Sequence, residues 1–345
     1  MSAKGEFRLL AASDVHGSFE HMERIIEYLN NEDVVAGALM GDMSEYKNFY
    51  ETEKSYYTKS LSKAKKPFLT VIGNHDTGNN DEVGASYRDV RELYDAWMGP
   101  NISFAGEITH EDGDCFYYKD FADYGIRIIV LNQFDHTDAK SDAKHFLHNR
   151  NHEMYSQRQI DFYIKALETT PEDYGVIVCL HNSPAKMIPF NLGFDSEMAE
   201  GFGVPGYISG SIIPDITDAF IKGIKGRGEY EIPTLGSKGK LKADFDFSKR
   251  GPGEFIVYLG GHYHNCLLSK VEKYPNQLMY TIDSAGIDMT TLQYSHFVRD
   301  DSKEQRDSFV VIGVDRDKSL ITVKKIGTTF DEYSNEILET KFIYR

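Results

Sequence analysis

Five short segments carry side chains able to hold metal ions: Asp14-Val-His16, Gly41-Asp42, Gly73-Asn74-His75-Asp76, His181 and Gly260-Gly-His262-Tyr-His264. Each begins where an apolar run stops. Any one of them is common as a turn, a helix cap or a hydrogen-bonded core histidine. All five in order, each directly after a strand-like run, is a pattern that turns alone do not generate. Imidazole mixed with carboxylate and amide oxygen suits Mn, Fe, Zn or Co better than Mg or Ca, whose sites are built from oxygen. The adjoining glycines let backbone segments approach without Cβ clashes.

The elements that must position these residues alternate short apolar runs with helical patterns, the sign of an α/β sheet with crossover helices. Strands are predicted over residues 7–13, 34–40, 67–72, 115–121, 126–134, 176–180 and 255–259, with a terminal hairpin over 309–314 and 319–325. Met22, Ile25, Ile26 and Leu29 form one apolar stripe of a helix beginning near Ser18. A mixed helix is read over about 46–65, and another around Tyr87, Val90, Tyr94 and Trp97. Ser156-x-x-Gln159 is a capping box that opens a helix through Leu167. In an open α/β sheet, ligands bind outside the carboxyl ends of the strands, so the five segments would converge there. The stretch of about 185–253 is rich in Gly and Pro, with one helix near 216–224. It is expected to be an irregular insertion or cap within a single domain spanning 1–345.

Composition sets outer bounds on function. The chain has 345 residues, 41% hydrophobic and 27% charged, which is ordinary globular usage. Its apolar runs are strand-sized, far short of the roughly 20 residues of a membrane helix, so no membrane partner is expected. The first residues show no apolar leader, which points to a cytoplasmic location. Cys115, Cys179 and Cys266 show no CxxC spacing, so neither a disulfide framework nor a cysteine metal site is expected. The net charge of −16 argues against a nucleic-acid polymer as partner. An anionic substrate needs a local reversal of that sign.

The ordered D-x-H, G-D, G-N-H-D, H and G-H-x-H motifs, all intact, resemble those of the calcineurin-like metallophosphoesterases over about residues 7–270. The resemblance implies a four-layer α/β/β/α sandwich with two divalent metal ions, Mn, Fe or Zn, at the carboxyl edge of its sheets. It places one ion on Asp14, His16, Asp42 and His264, and a second on Asp42, Asn74, His181 and His262, with Asp42 bridging. His75 would contact the scissile phosphate and assist the leaving group rather than bind metal. With two charged ligands the centre would be about +2, or about +1 with a bridging hydroxide, which supplies the missing reversal. Such a pair, ~3.5–4 Å apart, lowers the pKa of a bound water and clamps phosphoryl oxygens for in-line displacement.

The same resemblance narrows the branch. The Gly41-Asp42-Met-Ser-Glu-Tyr segment lacks the pattern of the Ser/Thr protein phosphatases and the tyrosine position of the purple acid phosphatases. The chain looks most similar to bacterial small-substrate phosphodiesterases. A phosphodiesterase acting on a small phosphoester is therefore expected, with a phosphomonoesterase or a non-catalytic scaffold on the same fold as alternatives. Glu45, three residues beyond Asp42, is a candidate orienter of His75, and a solvent-facing Glu is the other reading. Tyr263 is a candidate substrate contact. So are Phe190, Phe194, Phe202, Tyr207 and Tyr230, which could instead pack the insertion. His145, His148 and His152 fall at helical spacing but lie among polar residues and read as a solvated loop.

Overall fold

The computed structural model describes residues 5–44, 50–77, 90–135, 154–189, 211–231, 240–264, 266–283, 308–327 and 339–345. In a first sheet, β1 (Phe7–Ala12), β2 (Ala36–Leu39) and β3 (Phe68–Thr70) run parallel. Antiparallel to β1 come β13 (Ser308–Asp315), then β14 (Leu320–Gly327) and β15 (Glu339–Ile343), giving the order β15-β14-β13-β1-β2-β3. The second sheet has a parallel centre of β5 (Ile126–Val130), β6 (Gly175–Cys179), β10 (Glu254–Gly260) and β12 (Leu278–Thr281). Its antiparallel margins are β4 (Tyr117–Phe121) on one side, and β11 (Leu267–Val271) with β7 (Met187–Pro189) on the other.

Period-2 alternation explains how the sheets stack. From the second sheet, Ile128, Val130, Ile177, Cys179 and Leu259 join one core with the first sheet, Leu9 among its residues. The intervening Ile129, Val176, Val178 and Tyr258 face a second core with α4 (Gln157–Glu168) and α5 (Ile212–Lys222). On the far side of the first sheet lies α1 (Phe19–Asn31), which buries the expected stripe of Met22, Ile25, Ile26 and Leu29, and α2 (Tyr50–Leu61) packs against it. The order helix, sheet, sheet, helix is the expected sandwich. No described helix is long and apolar enough to cross a membrane.

Three local expectations are modified. Around Trp97 the helix is split into α3 (Val90–Leu93) and a π-helical turn, Tyr94–Met98. The capping box is half formed: Ser156 accepts from Gln159 N, but the Gln159 side chain bonds both the amide and carbonyl of Asn132. Strand β5 needs those partners where its ladder stops, so tertiary pairing wins over the local cap. The stretch read as irregular is largely regular where described. It supplies β7 to the second sheet, contributes α5, and forms an antiparallel hairpin of β8 (Lys225–Glu231) and β9 (Lys240–Asp246). Of its described glycines, Gly226 and Gly228 sit in the hairpin strand and Gly223 at the α5 C-cap, while Gly251 and Gly253 lie in the coil before β10.

Candidate metal centre

The parallel strands deliver the polar segments at their carboxyl ends. Asp14 and His16 follow β1, Asp42 follows β2, Asn74 and His75 follow β3, His181 follows β6, and His262 and His264 follow β10. Backbone bonds lace these ends together: Asp14 N to Gly41 O at 3.0 Å, His16 N to Asp42 O at 3.0 Å, and Gly261 N to His181 O at 2.8 Å. A Cβ at Gly261 would lie 1.7 Å from Ser13 Oγ and 2.5 Å from Asp14 Oδ2, so only glycine admits this approach of the two sheets.

The side chains fall into two groups whose ligand atoms lie within 4.8 Å of one another: Asp14, His16, Asp42 and His264, and Asp42, His181 and His262. Asp42 belongs to both. Asn74 joins the second, its Oδ1 2.9 Å from His181 Nε2 and 3.0 Å from His262 Nδ1. In the first, His264 Nε2 is 3.0 Å from Asp14 Oδ1 and 3.2 Å from His16 Nε2. His181 Nδ1 donates to Met40 O at 2.6 Å, which turns Nε2 toward Asp42 Oδ2 at 3.3 Å. The donor set fits two divalent ions: several lone pairs converge from both sheets around one shared carboxylate, with an imidazole tautomer already selected.

Backbone conformation marks the same residues. Six described non-glycine residues have positive φ, and five of them are Asp14 (52°), His16 (47°), Asp42 (54°), His262 (69°) and His264 (50°). Such strained conformations persist where surrounding structure over-determines them, and they cluster at functional sites.

Electrostatics separate the buried carboxylates. Burial pushes Asp42 up, but His181, His75 and His16 more than offset it and hold the carboxyl well below its ordinary range. For Asp14, burial is likewise outweighed by His264 and His181, and the net direction is down. Asp76 moves the other way, raised to about 8 by burial and by Asp42 beside it, with the Gly73 and Ser44 amides offsetting part. His181 is lowered by burial and raised more strongly by Asp42, to about 10, whereas burial and the charge of His181 lower His262 to about 4.

His75 lies outside both groups. Its backbone N donates to Asp42 Oδ1 at 2.8 Å, its Nε2 is 3.8 Å from Asp42 Oδ2, and its ring packs edge-on against His16 at 4.4 Å. Sequence reasoning assigned Asp76 no task, yet its carboxylate accepts from Asp42 N at 3.1 Å, Ser44 N at 3.0 Å and Gly73 N at 2.8 Å. It clamps the loop of Asp42 to the loop of Asn74 and His75. Its place beside His75 was the only available signal. Glu53, also unassigned, is buried on α2, accepts from Ser44 Oγ at 2.8 Å and lies over Gly17.

The remaining candidates divide. Tyr263 bonds Asn182 and Ser183, and Tyr230 in β8 donates to Asp215 Oδ2 at 2.8 Å. Glu45, Phe190, Phe194, Phe202, Tyr207, His145, His148 and His152 lie outside the described residues.

A family model described as calcineurin-like phosphoesterase matches residues 7–210. A dimetal phosphatase from Danio rerio superposes with a TM-score of 0.58 at 11% identity, covering 98% of this chain and 99% of that one. A structure of PhoD superposes with a TM-score of 0.53 at 11% identity, covering 99% of this chain and 70% of that one. At these identities the likeness is one of fold. None of the curated proteins matches.

Proposed function

The chain belongs to the calcineurin-like phosphoesterases, metal-dependent hydrolases of phosphoesters, and from that premise we propose that it is a phosphodiesterase acting on a small substrate at the strand ends described above. The observation that carries the reading is the convergence of two ligand groups on Asp42. In this reading Asp14, His16, Asp42 and His264 hold one ion, and Asp42, Asn74, His181 and His262 hold the other. When bound, the two ions would supply an acidified water and a positive cradle for phosphoryl oxygens. The whole chain is taken as one domain, with 185–253 built into it.

His75 is assigned the leaving group. Its backbone bond to Asp42 and its ring contact with His16 anchor the imidazole at the edge of the centre, with its side chain 15% exposed. From there Nε2 delivers a proton to the departing oxygen. The diester preference is drawn from the sequence, whose Gly41-Asp42-Met-Ser-Glu-Tyr segment lacks the patterns of the Ser/Thr protein phosphatases and the purple acid phosphatases.

The test is Mn²⁺-dependent turnover of bis(p-nitrophenyl) phosphate and p-nitrophenyl phosphate side by side. The diester should be preferred, and His75→Ala should retain its metal while losing roughly 10²–10⁴-fold in turnover, as for a lost general acid. A monoester preference would make the protein a phosphomonoesterase. Undiminished turnover in His75→Ala would remove the role assigned to that residue, and no turnover with any metal would favour a scaffold.

A further inference from the structure

Tyr263 stands between His262 and His264 and belongs to neither ligand group. Its hydroxyl donates to Asn182 Oδ1 and lies 2.9 Å from Ser183 Oγ. Asn182 Oδ1 also accepts from Ser183 N at 2.7 Å, and the Asn182 backbone N donates to Gln133 Oε1 at 2.6 Å. Gln133 is fully buried, three residues past the end of β5. These bonds run from the end of β5, through the loop after β6, to the loop after β10, and they cross one residue from His181. His262 and His264, on either side of the phenol, hold left-handed backbone that needs support from its surroundings.

We propose that Tyr263 is a positioning residue: its hydroxyl latches the His262–His264 loop to Asn182 and Ser183, setting the spacing of His181 and His262 for the second metal ion. The inference rests on the ligand assignment above. Two imidazoles on different loops must surrender relative freedom when one ion binds both, and a lock already in place removes that loss. The latch meets the loop of His181, so the ion on Asn74, His181 and His262 depends on it more than the ion on Asp14, His16 and His264. A phenol acting as a substrate contact would instead change KM and leave metal affinity alone.

The experiment titrates the metal-free, full-length protein with Mn²⁺, reading free ion by electron paramagnetic resonance and paired ions by their spin-coupled signal. Wild type should take up two ions. In Tyr263→Phe one of the two affinities should fall about 10-fold, the scale of a lost partner behind a metal ligand, and the coupled signal should need correspondingly more Mn²⁺. Ser183→Ala, which keeps Asn182 in place, should shift the same signal less and in the same direction. Superimposable titrations for wild type and both variants would overturn the latch. Uptake of fewer than two ions by wild type would overturn the ligand assignment beneath it.

Discussion

Gly73 shows how little room the centre leaves. A Cβ there would lie 2.2 Å from Asp42 Oδ1 and 2.3 Å from Asp42 N, so backbone as well as side chain would have to move. Gly73 N is also one of the three donors to Asp76. Gly73→Ala should therefore displace the shared carboxylate, lower stability by about 1–3 kcal/mol as overpacking does, and reduce Mn²⁺ uptake below two per chain. Urea unfolding and metal analysis check this, and a variant with full metal content and unchanged stability would contradict it. The glycine was legible as part of a motif, because its spacing to Asn74 and His75 is local. The Asp76 clamp was not, because two of its donors, Asp42 N and Ser44 N, come from another strand end.

At the scale of elements, the 185–253 stretch is tied down by Asp215. This α5 carboxylate accepts from Tyr230 of β8, from Tyr274 at 2.5 Å, and from Lys273 at 2.9 Å in the turn between β11 and β12. Burial pushes its carboxyl up, but the bonds from Tyr274, Lys273 and Tyr230 outweigh that and hold it below the ordinary range. A depressed carboxyl adds stability that is present above its unfolded pKa and lost as pH falls through the lower folded value. Asp215→Asn should thus cost about 1–2 kcal/mol at pH 7, discounted for a partly exposed site. The difference from wild type should shrink as pH drops below about 4, read from urea midpoints at each pH; a constant difference would be the contrary result. The α5 helix was readable from its apolar period, and so in principle was β9, where Leu241, Ala243 and Phe245 are buried and alternate with charges. In β8 the signal was weak, since Lys-Gly-Arg-Gly-Glu-Tyr-Glu offers one large apolar residue.

At the scale of the molecule, the candidate ligands come from both sheets, so an ion bound among them joins the two halves of the sandwich. Asp14, His16, Asp42 and Asn74 arrive from the first sheet, and His181, His262 and His264 from the second. Binding to the folded form alone should stabilise it, by about 2.7 kcal/mol at a free concentration 100 times Kd. The Tm of metal-free protein should then climb with the logarithm of Mn²⁺ concentration and fall back on chelation. A Tm indifferent to Mn²⁺ would mean that the centre does not hold the sheets together. Against a net charge of −16, two ions bound there would make the centre a local positive patch on an otherwise acidic chain.

The sequence by itself determined the family and the α/β class, because apolar alternation is a local property and each candidate ligand directly follows its own strand; the order of layers came with the resemblance those motifs carry. Only the tertiary structure decided which neighbours meet the loops that carry those ligands: Met40 O on His181, Asp76 on the Asp42 loop, Asn182 and Ser183 on Tyr263 between His262 and His264. Most of these partners lie between 34 and 141 positions apart in the chain, and no periodicity records a contact made by stacking two sheets face to face.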